Sequence, residues 1–69
     1  MMAMRSYLSV VPGDGGAWRV RYPDATESLE FRDKSKAVSR AAAWALLHKP
    51  SEIWVFAEDG ELADVLIYE

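Results

Sequence analysis

Alternation of apolar and polar positions divides the chain into five extended runs and one helix. Ser6–Val11 (SYLSVV) is β-branched and aromatic and is closed by Pro12. Leu8 and Val10 are expected on its core face, with Tyr7 and Ser9 outside. Gly13-Asp14-Gly15-Gly16 supplies the positive φ that tight β-turns demand, so a hairpin follows. The returning run Ala17–Tyr22 alternates cleanly: Trp18, Val20 and Tyr22 point one way, Ala17, Arg19 and Arg21 the other. Ser28–Phe31 adds a short third strand with Leu29 and Phe31 inward.

Asp33 stands where a helix N-cap belongs, and the helix is predicted over Lys34–His48, stopped by Lys49-Pro50. At 100° per residue Ala37, Val38, Ala41, Trp44, Ala45 and His48 share one side. The alanines permit close approach to a sheet. Lys36, Ser39 and Arg40 face water, but Ala43, Leu46 and Leu47 carry that outer side on as an apolar patch.

A second hairpin is predicted from Glu52–Ala57 and Leu62–Tyr68 around Glu58-Asp59-Gly60-Glu61. Its strands are apolar at consecutive positions, Ile53–Phe56 and Val65–Tyr68. One face is expected to collect Ile53, Val55, Val65 and Ile67, the other Trp54, Phe56, Leu66 and Tyr68. One helix covers one face of a sheet, so one set is left without cover. The whole is read as a single domain over residues 1–69, with 1–5 a flexible N-terminus. Its class is α+β: two layers, an antiparallel-dominated sheet of two hairpins in the order β-β-(β)-α-β-β, and a helix on one face.

Composition sharpens this picture. Sixty-nine residues lie near the lower bound for independent folding, and there is no cysteine to reinforce the core. Eight aromatic side chains compensate in part, and association of subunits is the other common reinforcement. The absence of cysteine fits a reducing cytoplasm, Met1–Tyr7 does not read as a signal peptide, and no apolar run is long enough to span a bilayer. The net charge is −3, which disfavours a purely electrostatic grip on nucleic acid. The charges are segregated: every basic residue precedes position 50, and only acidic ones follow it.

The residues also carry a resemblance. Tyr7, Val10, Val11 and Pro12, a glycine-rich turn and then Gly16-Ala17-Trp18-Arg19-Val20-Arg21 resemble the small bacterial domains of unknown function family 2188. The likeness continues through Phe31-Arg32-Asp33-Lys34, Ala37, Ala41 and Asp59-Gly60-x-Leu62. There are departures. Ala17 separates Gly16 from Trp18, Phe56 or Ala57 stands where the family often has a histidine, and the usual basic residue of the final turn is acidic. The resemblance implies a ββαββ-type fold and no established activity.

Candidate chemistry is thin. His48, the one histidine, sits at a helix end with no local nucleophile or carboxylate and reads as structural. Glu58, Asp59, Glu61 and Asp64 lack calcium-loop spacing, and Gly13–Gly16 lacks the lysine and following helix of a phosphate loop. No catalytic residue, cofactor, metal or small-molecule ligand is therefore expected. The expected role is a non-enzymatic interaction module that self-associates or docks a protein through Ala43, Leu46, Leu47, Trp54, Phe56, Leu66 and Tyr68. The alternative is a nucleic-acid binder using Tyr7, Arg19, Arg21, Lys34, Lys36 and Arg40, with Arg5 adding to the same basic half. A further alternative is a small phage-type inhibitor that occupies a host protein's nucleic-acid site.

Overall fold

A computed structural model describes residues 4–24 and 28–69 of the chain. Five strands form one sheet: β1 (Ser6–Pro12), β2 (Trp18–Arg21), β3 (Leu29–Phe31), β4 (Ser51–Phe56) and β5 (Leu62–Tyr68), with α1 (Lys34–Leu47) between β3 and β4. Their spatial order is β3-β2-β1-β4-β5. Neighbours pair antiparallel except β1 and β4, which run parallel. A parallel pair cannot be closed by a tight turn, and the long connection through β2, β3 and α1 supplies the crossover. The two hairpins thus adjoin through their first strands, and the antiparallel-dominated sheet is mixed.

The first turn is a short 3-10 segment, Asp14–Gly16, in which Gly15 and Gly16 hold φ of 65° and 80°. Those values are cheap only for glycine. α1 starts where the sequence puts it, with the Asp33 carboxylate accepting from the Ser35 N–H at 3.1 Å. It ends one residue early, because His48 leaves helical geometry and becomes the C-cap. The His48 side chain is exposed, and its ring stacks on Trp44 with centroids 3.7 Å apart.

Ala37, Ala41 and Ala45 are fully buried, so the helix backbone lies close on the sheet. Beneath it sit Leu8, Val10, Trp18, Val20, Ile53 and Val55, all buried. Ser51 is the one buried polar side chain among the described residues. Its hydroxyl reaches the carbonyls of Ala45 (3.1 Å) and His48 (2.7 Å), tying the helix end to β4. α1 packs chiefly on β1, β2 and β4 and reaches β3, with β5 at the margin of its cover. Leu29 lies on the helix side at the opposite edge and stays 47 % exposed instead of turning inward.

The face assignment of β5 differs from the expectation. An unbroken ladder from the Asp59-Gly60 turn would set Val65 opposite Ile53. Instead Phe56 pairs with Leu62 while Val55 pairs with Asp64, so Ala63 is an extra residue on β5. A one-residue slip turns every later side chain to the other face. Leu66 and Tyr68 therefore pack against the core on the helix side, and Val65 and Ile67 join Trp54 on the uncovered side.

Candidate sheet-face interface

The face of the sheet away from α1 is laid out by the strand registers. One row across it reads Arg21, Ser9, Trp54, Val65, since Ser9 pairs with both Arg21 and Trp54, and Trp54 with Val65. A second row holds Tyr7, Glu52 and Ile67. A third holds Glu30, Arg19 and Val11, with Phe56 and Leu62 continuing it on β4 and β5. Period-two alternation is what gathers these residues, because each strand sends its odd or even members to one side. Ile67 (59 %), Tyr7 (54 %) and Trp54 (39 %) remain exposed, while Val11, Phe56 and Val65 are half-buried. Ile53 and Val55 go under the helix, so one helix shelters one side of the ribbon and no more.

A polar network fixes the apolar part of this face. The Trp54 indole N–H donates to Glu52 Oε1 at 3.0 Å. Arg5 lies 3.3 Å from Glu52 Oε2 through Nη1 and donates to Glu69 Oε1 at 2.8 Å through Nη2. Nη1 is buried and its contact with Glu52 is an ion pair of poor hydrogen-bond direction, so the Glu69 bond is the stronger tie. That bond, with the Glu52 carboxylate beside it, raises the Arg5 guanidinium above its ordinary pKa. Arg5 is thus paired with two carboxylates; Met1–Ala3, expected to be flexible with it, lie outside the described residues. On the other half of the face Arg19 stands 3.9 Å from Glu30, and Arg21 has no carboxylate within ion-pair reach among the described residues.

The structure divides the residues expected to act together. Trp54 and Phe56 share the uncovered sheet face, but Ala43, Leu46 and Leu47 are exposed on the helix, on the opposite layer. Leu66 and Tyr68 lie beneath that layer. The basic set splits in the same way. Tyr7, Arg19 and Arg21 are on the open sheet, whereas Lys34 lies over the Trp18 ring at 4.8 Å and Lys36 and Arg40 border a shallow groove with Phe31 and Ala43 on the helix. Sequence reading missed Arg5, Glu52, Val65 and Ile67 as members of the face. Alternation from Tyr7 back to Arg5, and from Trp54 back to Glu52, was a signal for the first two; the bulge at Ala63 hid the others.

His48 Nδ1 bonds the Trp44 carbonyl at 2.8 Å, which engages one ring nitrogen in the helix end. Among the described residues no group of three or more His, Cys, Asp and Glu side chains could hold a metal ion. Nor is any helix there long and apolar enough to cross a membrane. Shallow depressions lie at Asp14–Ala17 with Glu30 and Arg32 (about 250 Å³) and at Tyr22, Pro23, Asp24 and Trp44 (about 390 Å³). The first carries the charged side chains Asp14, Glu30 and Arg32, the second the Tyr22 and Trp44 rings beside Asp24.

Fold and face together define a small two-layer α+β domain with one helix-covered and one uncovered sheet surface. The profile of the DUF2188 family, described as uncharacterized proteins conserved in bacteria, matches residues 8–68. The chain belongs to that family. No curated protein and no solved structure is significantly similar to it.

Proposed function

We propose that this domain is a non-enzymatic protein-interaction module working through the uncovered sheet face. The observation that carries the reading is the exposure of Tyr7, Trp54 and Ile67 on one surface, with Trp54 anchored by Glu52 and Arg5. An anchored ring loses little conformational freedom on docking, and aromatic residues and arginines are the side chains that dominate protein contacts. Arg19 and Arg21 form the polar rim of that surface. The cysteine-free composition supports a reducing, cytoplasmic setting for such a module.

Photo-crosslinking in cells tests the reading. A photoreactive amino acid replacing Tyr7 should give discrete protein adducts, of the chain itself or of a partner, that Trp54→Arg abolishes. The same group replacing Arg40, on the helix, should give none that respond to Trp54→Arg. Adducts from the helix position alone would overturn the reading. So would tight, salt-sensitive binding of single-stranded DNA or RNA by the purified chain that Arg21→Glu removes, since the face would then serve nucleic acid.

A further inference from the structure

We infer that the occupant of this face is a second copy of the chain, docked face to face about a two-fold axis that runs along β1. The inference rests on the reading of the sheet face as an interaction surface and names its partner. Three observations lead to it.

The first is the symmetry of the central row. Arg21 and Trp54 flank Ser9 at the same height on either side, one strand away each. A two-fold axis parallel to the strands and passing beneath Ser9 lays β2 of each copy over β4 of the other. Each Arg21 guanidinium then meets the partner's Trp54 ring, and the contact is made twice. An arginine over a tryptophan face is the most favourable cation–π pair, and desolvation strengthens it. In the adjoining row the same operation brings Arg19 against the partner's Phe56 and Val11 against its own image.

The second is the state of the two partners in the single chain. Arg21 is exposed and has no ion pair among the described residues, while Trp54 has its N–H engaged by Glu52 and its ring partly open. Ser9 on the axis is small, so two copies can approach there without a clash. The charge polarity of the face supports the same arrangement. Arg19 and Arg21 lie to one side of β1 and Glu52 to the other, one row from Trp54, so the two-fold sets each Arg21 diagonally beside the partner's Glu52 as well as opposite its Trp54.

The third is size. Strands of seven, four, three, six and seven residues, at about 3.4 Å per residue and about 4.8 Å apart, present a face of roughly 440 Å², so two such faces together hide about 900 Å². That is the size of a weak, reversible association. Packed sheets keep their strands within about 30° of each other, which preserves the match near the axis and relaxes it at the edges.

Sedimentation equilibrium of the purified chain from about 1 to about 500 μM tests this. The expected result is a reversible dimer. Arg21→Glu and Trp54→Arg should each weaken it at least about tenfold, because each places an unfavourable pair at both symmetric contacts. An equimolar mixture of the two variants should dimerise again. In that heterodimer the introduced acid faces the introduced base, and the unaltered Arg21 faces the unaltered Trp54. Recovery also demonstrates that both variants are folded. Ser9→Arg, which sets like charges against each other on the axis, should abolish the dimer independently. A chain that stays monomeric throughout the range overturns the inference, and the crosslinking result then decides separately whether a different protein uses the face. Dimers unaffected by Arg21→Glu, Trp54→Arg and Ser9→Arg overturn it as well, and so does a mixture that fails to dimerise.

Discussion

Replacing Ser51 by alanine removes one hydroxyl from a site with no solvent exposure. That hydroxyl has a single proton and two acceptors, the His48 carbonyl at 2.7 Å and the Ala45 carbonyl at 3.1 Å. The Ala45 oxygen keeps the His48 N–H at 3.1 Å, so the loss falls mainly on His48. A net hydrogen bond contributes about 0.5–1.5 kcal/mol, and an acceptor left dry costs about 1–3 kcal/mol. The His48 carbonyl sits at a partly buried helix end, where water reaches some of it, so Ser51→Ala should cost about 1–2 kcal/mol. For a domain this small each kcal/mol moves the melting temperature by about 4–8 °C, giving a fall of about 5–15 °C. Urea unfolding followed by tryptophan fluorescence, with thermal circular dichroism, measures both. Protein concentration must be held fixed, because association adds its own stabilisation. Ser9→Ala on the open sheet is the control and should stay within about 0.5 kcal/mol of the parent. The reasoning fails if Ser51→Ala changes stability by less than about 0.3 kcal/mol, or if Ser9→Ala costs as much.

Three further outcomes follow from burial and capping. Asp33→Ala removes the cap of a helix whose first turn is basic and should cost about 1 kcal/mol in denaturant unfolding, with some loss of helical signal. Ala41→Leu forces three extra carbons into the tightest helix–sheet contact and should cost about 1–3 kcal/mol, whereas Ala43→Leu on the exposed side should be nearly neutral. Trp18→Ala should cost about 3–5 kcal/mol, and Trp54→Ala clearly less when compared at concentrations where the chain is monomeric. Equal costs for the two tryptophans would mean that the sheet face is already covered.

Much of the fold was legible along the chain because it depends on local order. Alternation in Trp18–Tyr22, the turn glycines and the Asp33 cap each follow from steric or hydrogen-bonding rules that act over a few residues. The uncovered face followed from counting: two apolar sides of one ribbon against a single helix. Which side each residue of β5 takes was not local in that sense. It turns on the one extra residue at Ala63, and nothing in Leu62-Ala63-Asp64 marks a bulge.

By itself the sequence determined the elements, the helix start, the α+β class and the presence of surplus apolar surface, since period and turn chemistry are written residue by residue. Only the tertiary structure decided that β1 and β4 lie side by side and parallel, which makes Arg21, Ser9 and Trp54 neighbours although they are far apart in the chain. It alone joined Arg5 to Glu52 and Glu69, and separated Leu47 from Trp54 by the thickness of the domain. Strand order and register are set by how all the faces bury at once, and no short stretch of chain encodes that balance.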